Sequence, residues 1–142
     1  MVKFIILCFF LILNGCSTLK KVVVDCPIVI APKEAAEVVV KSENKLPVYI
    51  GFRGIESYCT KDDDNIEMEI SVNVRAIRKD TKIEDFVPVN ISLVSTDLNN
   101  KEYDRDDFTY SQFLLKGSKI VDRATILDIK IPNGGQVYLG LR

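Results

Sequence analysis

NIEMEISVNVRAIRK, residues 65–79, places an apolar side chain at every second position: Ile66, Met68, Ile70, Val72, Val74 and Ala76, with Glu67, Glu69, Ser71, Asn73 and Arg75 between them. A period of two turns successive side chains to opposite faces of an extended chain, so the stretch reads as a strand with one face in a core and the other in water. The alternation returns in FVPVNISLVST (86–96), with Val87, Val89, Ile91 and Leu93 inward, and in ATILDIKIP (124–132), with Leu127, Ile129 and Ile131 inward. QVYLGLR (136–142) points Val137, Leu139 and Leu141 one way. CPIVIAP (26–32) reads as a first strand bounded by Pro27 and Pro32, since proline is tolerated at strand ends. KEAAEVVVK (33–41) is mixed: its first half favours a helical turn and Val38 to Val40 favour a strand.

Between these segments lie KDDDN (61–65), DLNNKEY (97–103), LKGSK (115–119) and PNGGQ (132–136). Their Asp, Asn and Gly residues accept the backbone angles that turns require. Roughly seven short strands, no convincing long helix and 142 residues give one domain with a real core. The expected fold is all-β, an antiparallel two-sheet sandwich of the immunoglobulin or fibronectin-III kind. The absence of tryptophan argues against a true antibody-type domain, which carries a Cys, Trp, Cys spacing.

The amino-terminal thirteen residues, MVKFIILCFFLIL, have a different character. Lys3 supplies a positive start, and an apolar run from Phe4 to Leu13 stops at Asn14-Gly15. A bilayer-spanning helix needs about 20 apolar residues, so this run has the length of an export leader instead. Leu13, Asn14, Gly15 and Cys16 resemble the lipobox of bacterial lipoproteins, in which the cysteine thiol is acylated and becomes the first mature residue. The resemblance covers four residues, and Asn14 is a less usual occupant of its slot. It implies recognition through Leu13 and Gly15, lipidation at Cys16, and attachment to a membrane by two or three acyl chains, because one chain holds only marginally. The chain then divides into a signal peptide (1–15), a lipidated tether (16–25) and a β-sandwich domain (26–142). In lipoproteins of this kind an aspartate after the cysteine retains the protein at the inner membrane. Ser17 stands there, which points to the periplasmic side of the outer membrane, with the inner membrane as the alternative. An ordinary secretory signal cut nearby, with Cys16 a plain thiol, is the competing reading.

Of the four cysteines, Cys8 leaves with the leader and Cys16 takes the lipid, so Cys26 and Cys59 remain. Two thiols in an oxidising compartment suggest one disulfide. A metal or redox pair and two unpaired thiols are the alternatives; the spacing is not CxxC, and the chain has no histidine. CPIVIAP, the second cysteine in SYCTKDDD (57–64), the alternating strand after it and the terminal IPNGGQVYLGLR (131–142) look like small envelope lipoproteins of alphaproteobacteria, a group without an assigned activity. That resemblance implies the lipid anchor, the Cys26–Cys59 pair and an all-β domain, and it supplies no catalytic residues.

Composition narrows the function classes. Nineteen basic and 20 acidic residues give a formal charge of −1, without the basic excess of a nucleic-acid face. The NGG of PNGGQ precedes a strand and does not open a helix, so it is a turn and not a nucleotide-binding loop. Without histidine the usual general base and the commonest metal ligand are gone. A serine–lysine dyad drawn from Ser111, Lys116, Ser118 and Lys119 has nothing to fix its geometry, and strand-edge polar residues explain them equally well. The acidic groups Asp62–Asp64 and Asp104, Asp106 and Asp107 read as solvated turns, since they lack the spaced ligands and closing glutamate of an EF-hand. The expectation is no catalytic residue, no metal and no cofactor. What survives is a lipid-anchored module that binds another envelope protein through a strand edge or loop surface. The alternative is a small-ligand or glycan-binding module, for which Tyr49, Phe52, Tyr58, Tyr103, Phe108 and Tyr110 are the available rings.

Overall fold

A computed structural model of the chain describes residues 21–142. The expected leader 1–15 with Leu13 and Gly15, the expected lipidation site Cys16 and the first residues of the expected tether lie outside the described residues.

Among the described residues, nine strands and one helical turn follow in order: β1 (Val22–Val24), β2 (Val29–Ile30), α1 (Lys33–Ala36), β3 (Glu37–Lys41), β4 (Pro47–Asp62), β5 (Asn65–Arg78), β6 (Asp85–Thr96), β7 (Glu102–Leu114), β8 (Ile120–Pro132) and β9 (Gln136–Leu141). One sheet has the order β1-β4-β5-β8, with β3 also on β4; the other has the order β2-β9-β6-β7. The two sheets pack as an immunoglobulin-like all-β sandwich. All pairings are antiparallel except β2 with β9, which run parallel.

The period-two pattern carries directly into the core. Met68, Ile70, Val72, Val74 and Ala76 of β5 are buried, as are Val87, Val89, Ile91 and Leu93 of β6, Leu127, Ile129 and Ile131 of β8, and Val137, Leu139 and Leu141 of β9. Sheet on sheet, these side chains remove apolar surface from water at roughly 25 cal/mol per Å², the dominant favourable contribution to the fold. The mixed segment 33–41 splits as its composition suggests. The Pro32 carbonyl accepts from the N–H groups of Ala35 and Ala36 to close α1, and β3 then pairs with β4.

The turns fall where Asp, Asn and Gly cluster. Asp63 and Asn100 adopt positive φ, and so does Gly134, where an added Cβ would also meet Leu98. At Gly135 a Cβ would lie 2.4 Å from the Thr96 carbonyl, so the NGG sequence is the tight link between β8 and β9. Two segments differ from expectation. The first strand shrinks from CPIVIAP to Val29–Ile30, because Cys26 is held to Cys59 while the chain crosses here from one sheet to the other. Val22–Val24, within the segment read as a tether, instead pairs with Cys59 to Lys61 as β1, so the sheet begins four residues before Cys26.

Cys26 and Cys59 form a disulfide with Cα atoms 5.3 Å apart. It fastens the residue just after β1 to the strand that β1 pairs with, which matters because a three-residue strand has few hydrogen bonds of its own.

β4 shifts register between Phe52 and Gly54, leaving Arg53 as a bulge. Before the bulge Val48, Ile50 and Phe52 share the core side; after it Ile55, Ser57 and Cys59 do, opposite Val72, Ile70 and Met68. One extra residue thus reverses the inward parity of the strand.

β7 alternates too, but its inward set is Asp104, Asp106, Phe108, Tyr110, Gln112 and Leu114. Asp104 and Asp106 therefore lie on a strand, which corrects their assignment to a turn; Asp107 is on the same strand, facing out. Asp106 Oδ2 accepts from the Asp128 N–H at 2.9 Å, and Asp104 Oδ2 accepts from the Lys130 N–H at 2.8 Å. The Lys130 carbonyl in turn accepts from Ser95 Oγ of β6 at 2.6 Å. β8 is the last strand of its sheet, so those N–H groups have no ladder partner. Side chains of the opposite sheet supply one, and the flank is closed to strand addition at that point.

Two outcomes follow. Replacing Cys26 and Cys59 together by serine should lower the unfolding free energy by roughly 3–4 kcal/mol on the chain-entropy account, read as a reduced urea midpoint that added reductant does not lower further. Asp104→Ala and Asp106→Ala should each destabilise by about 0.5–1.5 kcal/mol and speed amide exchange at Lys130 and Asp128 respectively; unchanged exchange would refute the capping role.

Candidate functional site

Register dictates what the outer face of the β4-β5-β8 sheet presents. Tyr58, Glu69 and Asp128 lie in one row across the three strands, and Thr60, Glu67 and Lys130 in the next. Lys21 leads into β1 and reaches over the second row to an ion pair with Glu67. Together with Asp104 these residues line an open groove of about 610 Å³. The hydrogen bond from Lys21 and its positive charge hold the Glu67 carboxyl below its ordinary range, while Glu67 raises the Lys21 ammonium. The groove carries both signs of charge with one ring at its side, and it can offer polar contacts to a ligand.

A second feature lies on the same sheet. On the outer side of β4, β3 pairs with Pro47 to Gly51 and β1 with Cys59 to Lys61. Among the described residues, the seven between, Phe52 to Tyr58, have a strand neighbour, β5, on one side only. Residues 53–58 are all exposed, with Ile55 39% and Tyr58 54% accessible. β1 and β3 lie along a single line beside β4, interrupted where residues 25–36 depart to the other sheet and return. The interruption leaves backbone donors and acceptors of β4 facing solvent, the feature that strand addition needs.

The opposite end of the sandwich is held rigidly. Arg78 is buried at the end of β5 and donates from Nε to the Ser118 carbonyl at 3.0 Å and from Nη1 to that of Ile83 at 2.8 Å, while Nη2 reaches the carbonyls of Leu114 and Leu115. Asp85, 3% accessible, is pushed up by burial, but hydrogen bonds from Ser42 and from the N–H groups of Phe86 and Asn44 outweigh that and leave its carboxyl below the usual range. Around these anchors Phe86 and Phe113 pack with ring centroids 4.8 Å apart and partly exposed.

Cys26 and Cys59 are brought together. The six rings are not. Tyr58 faces out at the groove and Tyr49 lies at the far end of β4, beyond the bulge, where Glu37 raises its phenol. Tyr110 is on β7 in the other sheet, its ring covered by the Arg123 guanidinium at 4.1 Å. Tyr103 stands at the start of the same strand, and Phe108 packs against the core. No flat aromatic platform is assembled from them. Ser111 sits within β7, whereas Lys116, Ser118 and Lys119 belong to the link to β8. Asp63 and Asp64 occupy the β4–β5 turn as expected. Among the described residues no three His, Cys, Asp or Glu side chains gather as metal ligands, and no helix is long and apolar enough to cross a membrane.

The interrupted edge escaped the sequence reading because it arises from where other segments pair, which no local pattern encodes. The groove was equally silent, since its polar residues are the outward half of ordinary alternating strands. No protein-family model, curated protein or solved structure matches the chain.

Asp85 gives a pH signature for the rigid end. Its depressed folded-state pKa contributes stability that is present above the unfolded value of about 3.9 and is lost as pH falls through the folded value. Asp85→Asn should destabilise by about 1–3 kcal/mol at neutral pH and flatten the fall in stability below pH about 4, measured as urea midpoints across pH.

Proposed function

We propose that this chain is a lipid-anchored module of the bacterial envelope that binds another protein, holding no cofactor and carrying out no catalysis. The observation that supports it best is the outer edge of β4 from Phe52 to Tyr58, which among the described residues has no strand neighbour and lies exposed between two short strands of the same sheet. Open edges are normally blunted in soluble proteins, and this fold does so elsewhere, at Asp128 and Lys130. An edge left open in a sheet whose opposite edge is closed is suited to receive a partner.

The anchor in this reading is Cys16, acylated after cleavage of residues 1–15. Only Ser17 to Lys21 then separate the lipid from β1, a reach of at most about 18 Å. The β4–β5, β6–β7 and β8–β9 turns share the end of the sandwich at which Lys21 enters, since Lys21 precedes the Val22–Lys61 pairing. Ser17 after the cysteine favours attachment at the periplasmic side of the outer membrane, with the inner membrane as the alternative, and the resemblance to small alphaproteobacterial envelope lipoproteins supports the anchor itself. A second reading, small-ligand binding, is favoured by the charged groove of Lys21, Glu67 and Lys130 on the same sheet.

Cys16→Ser should move the protein from the membrane fraction to the soluble periplasmic fraction; continued membrane retention refutes the lipid anchor. A photo-crosslinking side chain at Ile55, activated in intact cells, should yield one specific adduct that the same group at Thr109 on the other sheet does not. Capture from Thr109 alone, or from neither position, counts against recognition at the β4 edge.

A further inference from the structure

We infer that the interrupted β4 edge is a slot for one short extended peptide segment of a partner, and that the β4 edge of a second copy of this chain is sterically shut out. This rests on the interaction reading above and specifies its partner.

The exclusion comes from strand length. β4 continues past the slot on both sides, as Pro47–Gly51 and Cys59–Asp62, and those flanks are already occupied by β3 and β1. Bringing the same edge of another copy alongside would drive its β4 flanks, with their own β1 and β3, through the lines that β1 and β3 hold. Only a segment that enters and leaves the sheet within Phe52 to Tyr58 fits, a span of about 23 Å for seven extended residues. The disulfide keeps one end of the slot fixed, since Cys26 and Cys59 pin the point at which the chain departs.

Cross-strand neighbours define the chemistry of that segment. On the outer face an antiparallel guest residue opposite Glu56 gains from a positive charge, and one beside Arg53 gains from a negative charge. Opposite Gly54 there is no side chain, and a Cβ built there meets only Asn73, at 3.8 Å, so an aromatic guest residue can lie across it. On the core side Ile55 is 39% accessible and Phe52 packs against the core, which suits a β-branched guest residue. The guest is thus a strand of alternating character, with a basic residue outward between two apolar inward ones, followed by an aromatic and an acid.

The peptide Thr-Val-Lys-Val-Tyr-Glu-Thr has this pattern when laid antiparallel to Tyr58 through Phe52. With the purified full chain it should bind saturably at submillimolar to millimolar concentration, and hydrogen exchange should slow at amides between Phe52 and Tyr58 alone. Exchanging its Lys and Glu should weaken binding by about two- to fivefold. In Glu56→Lys, an exposed position that leaves folding intact, each peptide keeps one favourable and one unfavourable charge pairing, so the preference between the two should disappear, and Glu56→Lys combined with Arg53→Glu should invert it. Absence of binding, protection elsewhere, or a preference that Glu56→Lys does not alter overturns the inference. So does self-association of the chain through these amides. If the photo-crosslinker at Ile55 still captures a partner while the peptide fails, the slot chemistry falls and the interaction reading stands.

Discussion

The hydrogen bonds from the Asp128 and Lys130 backbone to Asp106 and Asp104 join the two sheets along one flank, and much of the architecture is arranged around that junction. A sandwich of two open sheets has four strand edges, each with a row of polar backbone that must find water, a partner strand or a side chain. At the β7–β8 flank the solution is to turn carboxylates inward where apolar residues would ordinarily lie. Carboxylates accept from amides without competing donors of their own, so they satisfy exposed N–H groups and repel a guest strand's carbonyls. Farther along the same strand Phe108 and Tyr110 return to packing, with Arg123 over the Tyr110 ring.

The opposite flank is handled differently. There a single edge line is broken into β1 and β3, and the intervening segment crosses to the other sheet, places β2 beside β9, and packs Ala35 against Gly140. The crossing covers part of the core and supplies the disulfide, but it withdraws partners from the middle of β4. The Arg53 bulge lies at the edge of that withdrawn region, consistent with bulges being found where regular pairing ends. Closed and open edges therefore sit on opposite flanks, and the contrast gives the open one its functional weight. Its residues lie opposite Val74 to Glu69, roughly 13–30 Å along β5 from the buried Arg78.

The strands legible in advance were those whose inward residues are mostly apolar, with buried polar residues such as Arg78, Asp85 and Ser95 near their ends and Thr125 within β8. β5, β6, β8 and β9 each pack one inward set against the facing sheet, so burial and sequence period coincide. β7 was illegible because Asp104 and Asp106 occupy inward positions, which makes its pattern look like a polar connection. β4 was illegible because the bulge at Arg53 reverses parity halfway, so no single alternation spans Pro47–Asp62. Val22–Val24 read as part of a tether because three residues carry no periodic signal. The cysteine pair was accessible through chemistry and number, not pattern.

Composition and period by themselves determined that this chain forms a two-sheet β-sandwich, which residues of β5, β6, β8 and β9 fill its core and where four of its turns fall, and they left Cys26 and Cys59 as the pair once Cys8 and Cys16 are assigned to an export signal. These follow from side-chain type and the geometry of an extended chain, both local properties. Tertiary structure alone decided which strands are neighbours, that β2 runs parallel to β9, that one flank is sealed by carboxylates and that the other keeps a seven-residue opening. An edge is defined by the absence of a neighbour, and that absence is a property of the assembled sheet, so no local stretch of sequence records it.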